Sequence, residues 1–373
     1  MAEAATREAV VNEATARSKF TCAACGAEAT WSPAKHALIC GFCGTESPAE
    51  LKADGSGIEE HDLAATLRSI PDSQRGWNAA RTSVKCQSCQ AISVFDPKHQ
   101  AKNCEFCGSS ALVPYEQVKD SFSPGSLLPM KISDTKAREL IRKWYGTRWF
   151  APNKLKKAAL TDQVHGLYIP YWTFDAQADA RWQAEAGYYY YETESYTDSN
   201  GREASRQVRR TRWEYASGQL QHFFDDDLVP ASLGVQAKHL RAIEPFPTGE
   251  LVPYDAGYLS GWVVERYQID LIAAAQRSRQ QMDQQVQRMC ASEVPGDTHR
   301  NLQANTRYSD LTFKHILTPL WMLTYRYGVK NFQVVMNGYT GSISGEYPKS
   351  WVKITLAVLA VIIVLLIVMT AAG

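Results

Sequence analysis

Residues 20–46, FTCAACGAEATWSPAKHALICGFCGTE, decide how this chain is read. Their cysteines run Cys22-x2-Cys25-x14-Cys40-x2-Cys43, and residues 84–110 repeat the spacing as Cys86-x2-Cys89-x14-Cys104-x2-Cys107. A tetrahedral Zn²⁺ takes four thiolates at about 2.3 Å, and a Cys-x2-Cys knuckle offers two of them from one tight turn, so two knuckles close one site. Glycine follows the second cysteine at Gly26, Gly44 and Gly108, where the chain often turns with positive φ; Gln90 is the exception. A shift of 64 residues also superposes Trp31 on Phe95, Pro33 on Pro97 and Phe42 on Phe106, so the module is duplicated. The expectation is two closed, structural zinc ribbons with two Zn²⁺ per chain, each deriving about 10–16 kcal/mol of apparent folding free energy from its metal. A disulfide framework, a redox dithiol, or iron in the same four-sulfur geometry are the alternatives.

The chain has 373 residues, 45% of them apolar, which is enough for two or three domains and a sizeable core. A formal net charge of +1 gives no global basic excess for nucleic acid. Eight of nine cysteines lie in the repeat, which implies a reducing compartment and leaves Cys290 over. Residues 1–19 are rich in Ala and Glu, carry no apolar run, and read as a flexible tail.

At the other end, residues 354–373, ITLAVLAVIIVLLIVMTAAG, are uncharged, and twelve of the 20 are Ile, Leu or Val. At about 1.5 Å per residue the run crosses a hydrocarbon core of about 30 Å. Lys349, Trp351 and Lys353 flank it, and the positive-inside rule then leaves the preceding residues in the cytoplasm. The reading is a tail-anchored, single-pass protein with its bulk in the cytoplasm.

Working inward, the predicted fold class is α+β: two small zinc ribbons, then a β-rich α+β domain, then a single C-terminal transmembrane helix. The expected units are a tail (1–19), ribbon 1 (20–46), a linker with a short helix (47–83), ribbon 2 (84–112), the α+β domain (113–350) and the anchor (351–373). The ribbons are expected to form an arm separated from the body. Within the linker, Leu63 and Leu67 have helical spacing, and Glu59, Glu60 and Asp62 read as solvated charges at a helix start. In the body, Ser133 or Asp134 caps a helix carrying Ala137, Leu140, Ile141 and Trp144, and Asn153 opens a short helix through Ala159. Further helices are expected over 235–243 and 268–293. Strands are expected over 167–174, 188–194, 206–215, 219–224, 306–316, 320–327, 331–336 and 342–346, with turns at Asn200-Gly201 and Ser217-Gly218.

Catalytic signatures are sparse. The sequence holds no phosphate loop of the Gly-x4-Gly-Lys-Ser/Thr type, no His-Glu-x2-His, no deaminase His-x-Glu and no Gly-x-Ser-x-Gly, and it offers no evident small-molecule substrate site. The triplet Asp225 to Asp227 reads as a solvated turn. Tyr188 to Tyr191 and the cluster Arg206, Arg209, Arg210, Arg212 and Trp213 interleave aromatics with cations, as single-stranded nucleic acid, an anionic membrane surface or plain solvent would each allow.

The whole chain resembles bacterial membrane proteins with TFIIB-type zinc ribbons, often catalogued as primosomal protein N′ (superfamily II helicase)-like. The likeness rests on the paired ribbons, Ile58-Glu59-Glu60-His61-Asp62, Trp149-Phe150-Ala151-Pro152, the run from Gly166 to Asp175, and the terminal span. It implies the eight cysteines as metal ligands and carries over no catalytic residue. Some similar proteins act with flotillin-like SPFH proteins and phage-shock-type proteins in protecting the cell envelope. The expectation is therefore a non-enzymatic, membrane-anchored adaptor with a protein partner. The alternative is a replication-associated nucleic-acid-binding protein held at the membrane.

Overall fold

In the computed structural model the described residues are 20–22, 24–47, 58–69, 82–88, 91–95, 104, 106, 109, 112–115, 122–152, 164–197, 203–260, 262–327 and 330–372. The expected helix from Asn153 and the tail over 1–19 lie outside them. Ribbon 1 is a four-stranded sheet of β1 (Phe20–Thr21), β2 (Glu28–Ser32), β3 (Ala37–Cys40) and β4 (Glu46–Ser47). The linker supplies β5 (His61–Asp62) and α1 (Leu63–Ser69). Ribbon 2 holds β6 (Thr82–Cys86), β7 (Ile92–Phe95) and β8 (Leu112–Tyr115). Its β6–β7 pairing, Lys85 with Ile92, repeats the register of Thr21 with Glu28 in ribbon 1.

The body adds β9 (Ser126–Leu127), α2 (Asp134–Gly146), β10 (Val164–Thr197), β11 (Glu203–Pro230), α3 (Ala237–Ile243), β12 (Val252–Pro253), β13 (Val263–Val264), α4 (Leu271–Glu293), β14 (Thr298–Tyr327), β15 (Lys330–Asn337) and β16 (Ile343–Gly345). The helix α5 (Trp351–Ala372) follows. Ser133 caps α2 by accepting from the Lys136 amide, and Asp270 caps α4 by accepting from that of Ala273. The main sheet runs β11-β10-β14-β15-β16 with short strands at its margins. The molecule is thus mixed α/β with one large sheet.

Three strands are far longer than the sequence signals indicated. β10 has 34 residues, β11 has 28 and β14 has 30. The expected turn at Ser217-Gly218 does not form, because Gly218 lies in mid-strand under the Trp182 indole, where a Cβ would approach the ring to 2.5 Å. Nor does the chain break between 316 and 320. Pro319 is tolerated because the β14–β15 ladder begins one residue later, at Leu320 with Asn337, and the Gly338 amide donates to the Pro319 carbonyl. Asp225 to Asp227 form no solvated turn either. They lie on β11 where its register with β10 shifts, Asp226 has φ 52° and pairs with Lys314 at 2.8 Å, and Asp227 accepts from Ser278 at 2.6 Å.

Burial grades along β10. From Leu167 to Ala176 every residue is buried; from Ala178 to Ala186 only the even ones are fully so; from Tyr189 to Thr197 the strand is exposed apart from half-buried Glu194. Alternate strand residues face opposite sides of a sheet, so the first stretch has cover on both faces, the second on one and the third on neither. The single cover of the middle stretch is α4, whose Ala274, Met282, Val286 and Cys290 join Ala176, Ala178, Ala180, Trp182 and Ala184 in one apolar cluster. Beyond Gly187, which pairs with Thr298 at the end of β14, only β10 and β11 continue, as a two-stranded hairpin.

Both ribbons pack against this sheet, which corrects the expectation of a separate arm. Ala29, Trp31 and Leu38 of ribbon 1 share a buried cluster with Tyr168, Leu317, Trp321, Leu323 and Val334. Cys86, Ala91, Cys104 and Phe106 of ribbon 2 share another with Leu167, Ile169, Ile316, Leu320, Met322 and Val335. On β10, β14 and β15 alike the two sets alternate in parity, so the ribbons lie on opposite faces. The linker is docked too. β5 pairs with β14 at Thr312 and Phe313, and Glu60 accepts from Lys314 at 3.1 Å instead of facing solvent alone.

Candidate metal centre and its docking contacts

Ribbon 1 gathers Cys22, Cys25, Cys40 and Cys43 so that their sulfur atoms all lie within 4.8 Å of one another. Cys22 and Cys43 are 3.6 Å apart and Cys25 and Cys40 3.5 Å, against about 3.8 Å for the edge of a tetrahedron with 2.3 Å metal–sulfur bonds. A disulfide needs about 2.05 Å, so no pair is bonded. The backbone explains this convergence. The amides of Cys22 and Cys40 donate to the carbonyls of Ala27 and Thr45, those of Gly26 and Gly44 donate back to Cys22 and Cys40, and the glycines take φ of 74° and 72°. Side chains rarely adopt that conformation, which is why glycine follows each knuckle.

The four thiols differ. Cys22 and Cys40 are buried while Cys25 and Cys43 are exposed. Hydrogen bonds from the Thr45 hydroxyl and amide, with a further one from Cys25, pull the Cys43 thiol down to about 6. Against a lowering hydrogen bond at Ala27, the neighbouring thiols of Cys43 and Cys40 push Cys25 up to about 12. Thiolates this close repel one another, and a divalent cation among them removes the repulsion. The donor set fits a four-sulfur metal ion such as zinc.

In ribbon 2, Cys86 and Cys104 are buried, and their amides donate to Ala91 and Ser109 with the same five-residue reach as in ribbon 1. Cys89 and Cys107 lie outside the described residues. All four knuckles thus share one backbone hydrogen bond, although only ribbon 1 presents its full set of sulfurs among the described residues.

The contacts that hold the ribbons were not signalled by cysteine spacing. Trp31 donates its indole N–H to the Met130 carbonyl at 3.3 Å and packs on Tyr258 with centroids 4.7 Å apart, while Ser260 donates to the Ala29 carbonyl at 2.8 Å. In ribbon 2 the Phe106 carbonyl accepts from Thr324 at 2.6 Å and from Gln333 at 3.2 Å. Its ring lies over Gly234, where a Cβ would approach it to 2.6 Å. Phe42, the residue equivalent to Phe106, is 84% exposed, whereas Phe106 is 0% exposed.

The arginine cluster is largely self-neutralised. Arg206 and Arg210 pair with Glu194, Arg210 also with Glu192, and Arg212 with Glu214, while Arg209 stacks over Tyr189 at 4.2 Å. The helix α5 is long and apolar enough to cross a membrane, with mean hydropathy 3.1 over Trp351–Met369.

No protein-family model matches this chain. No solved structure matches it either. An uncharacterized protein of Bacillus subtilis (strain 168), YdjG, is 23% identical over 248 residues, which cover 65% of this chain and 69% of that protein.

Proposed function

We propose that the protein is a non-enzymatic adaptor of the TFIIB-type zinc-ribbon membrane group, anchored by α5 in a bacterial inner membrane with its bulk in the cytoplasm. It carries two structural zinc ions and recruits a protein partner, with SPFH or phage-shock-type proteins the classes that the sequence resemblance implies. The observation that carries this reading is the pair Phe42 and Phe106. One duplicated module spends its knuckle phenylalanine on a socket in the chain's own sheet, and the other leaves the equivalent ring at 84% exposure beside exposed Cys43. An exposed aromatic on a rigid, metal-closed turn is the kind of anchor that dominates protein interfaces.

The test is Phe42→Ala in full-length protein purified from solubilised membranes. Capture of the wild-type partner should fall at least about tenfold, roughly 1.4 kcal/mol, with metal content and melting temperature unchanged. Undiminished capture rejects ribbon 1 as the docking head. The nucleic-acid alternative is favoured by the Arg206 to Trp213 cluster, but Arg206, Arg210 and Arg212 already hold glutamate partners, which lowers the positive potential open to phosphate.

A further inference from the structure

The base of α5 is bonded to a turn about 200 residues before it in the chain. After α2 the chain turns at Arg148-Trp149-Phe150-Ala151, closed by the Arg148 amide on Tyr145 and the Ala151 amide on Arg148. The first turn of α5 is bonded to it. Lys353 donates to the carbonyls of Trp149 at 3.0 Å and Ala151 at 2.8 Å, and the Ser350 amide donates to Phe150 at 2.8 Å. Lys353 is also the last charge before the uncharged run. If α5 spans a bilayer, this ammonium marks the boundary of the hydrocarbon, and the turn that binds it is held at the same depth.

The side chains of the turn suit that depth. Ala151 is fully buried in the body, which holds the turn in place, but the Trp149 indole is 58% exposed, next to the Phe150 ring at 5.0 Å and 72°. Trp351, at the start of α5, is 75% exposed. Indole rings concentrate at the headgroup level, where an apolar body and a polar N–H are both accommodated. Arg148, whose guanidinium stacks over Trp144 at 4.6 Å and Tyr347 at 6.0 Å, places a fixed cation beside them.

We infer that the 148–151 turn is an interfacial foot that inserts Trp149 among the lipid headgroups beside the base of α5, so that the body meets the bilayer at two points. The inference rests on the reading of α5 as a membrane span. A helix alone leaves the body free to swivel about its axis, and a second contact bonded to that helix sets one orientation.

The experiment places the photoreactive residue p-benzoylphenylalanine at position 149, 351 or 215 of the full chain in vesicles of phosphatidylethanolamine and phosphatidylglycerol. Lipid adducts are read by mass spectrometry. Tyr215, 72% exposed on β11, is the control remote from α5. Adduct yield at 149 should match that at 351 within about threefold and exceed that at 215 by about tenfold, as a headgroup-level side chain requires. Strong labelling at 351 with background labelling at 149 overturns the foot and leaves the anchor standing. Background labelling at both overturns the anchor and the foot together.

Discussion

The two ribbons have the same cysteine spacing and share the five-residue knuckle hydrogen bond, yet they are held by the sheet in different ways. Ribbon 1 inserts Trp31 from the middle of β2 and leaves the residue before its last cysteine, Phe42, in solvent. Ribbon 2 inserts that very residue, Phe106, and fastens its carbonyl with Thr324 and Gln333. Duplication therefore supplied two copies of a cysteine-knuckle scaffold, and its outer surface was put to different uses. One copy closes a face of the sheet with its knuckle. The other closes the opposite face with its hairpin and keeps the knuckle available.

Metal removal makes the largest demand on this comparison. Each ribbon covers one face of the same strands, so chelation at neutral pH should loosen the sheet as well as the ribbons, seen as a cooperative loss of near-ultraviolet circular dichroism. The energy at stake is on the order of 10 kcal/mol per site. Survival of the sheet's signal after chelation would mean that the ribbons cover the faces without stabilising them. The next test separates the copies. Phe106→Ala should cost about 3–5 kcal/mol by emptying a packed socket, whereas Phe42→Ala should stay within about 0.5 kcal/mol. Denaturant unfolding of both variants measures this, and equal costs would erase the distinction between them.

A smaller effect belongs to the ribbon 2 face alone. Glu265 is fully buried beside Gly234, accepts from Gln268 at 2.7 Å, and is raised from 4.5 to about 7 by burial. Between those values the folded carboxyl keeps a proton that the unfolded chain has released, so rising pH favours unfolding. Stability should fall by about 3 kcal/mol from pH 4.5 to 7 and then level off as far as this group is concerned. Glu265→Gln should flatten that slope in melting curves, and an unchanged slope would assign it to other groups.

Much of the local architecture was legible in the residues. The four knuckles, the capped helix α2, the periodic helix α4 and the apolar span α5 each announce themselves within one short window, through metal-ligand spacing, a capping side chain, helical periodicity or unbroken hydropathy. Strand length was not legible, because Gly218 and Pro319 carry the local signature of a break while serving a tertiary purpose, one as room for Trp182 and the other at a ladder's end. Docking was illegible for a related reason. Nothing within Gly41-Phe42-Cys43 or Glu105-Phe106-Cys107 says which ring will meet Gly234, since that is decided by a loop well over a hundred residues away.

The length of β10 has a mechanical consequence. Its 34 residues, at about 3.3 Å each, extend on the order of 100 Å from the stretch clasped between the two ribbons to the tip of the hairpin. Along the middle of this mast α4 acts as a brace, lying against it between Ala176 and Ala184. A tilt of about ten degrees at the clasped base sweeps the tip through roughly 17 Å, several times the spacing between neighbouring strands. Small angular adjustments at the clasped base are thereby converted into large displacements at Tyr189 to Tyr196.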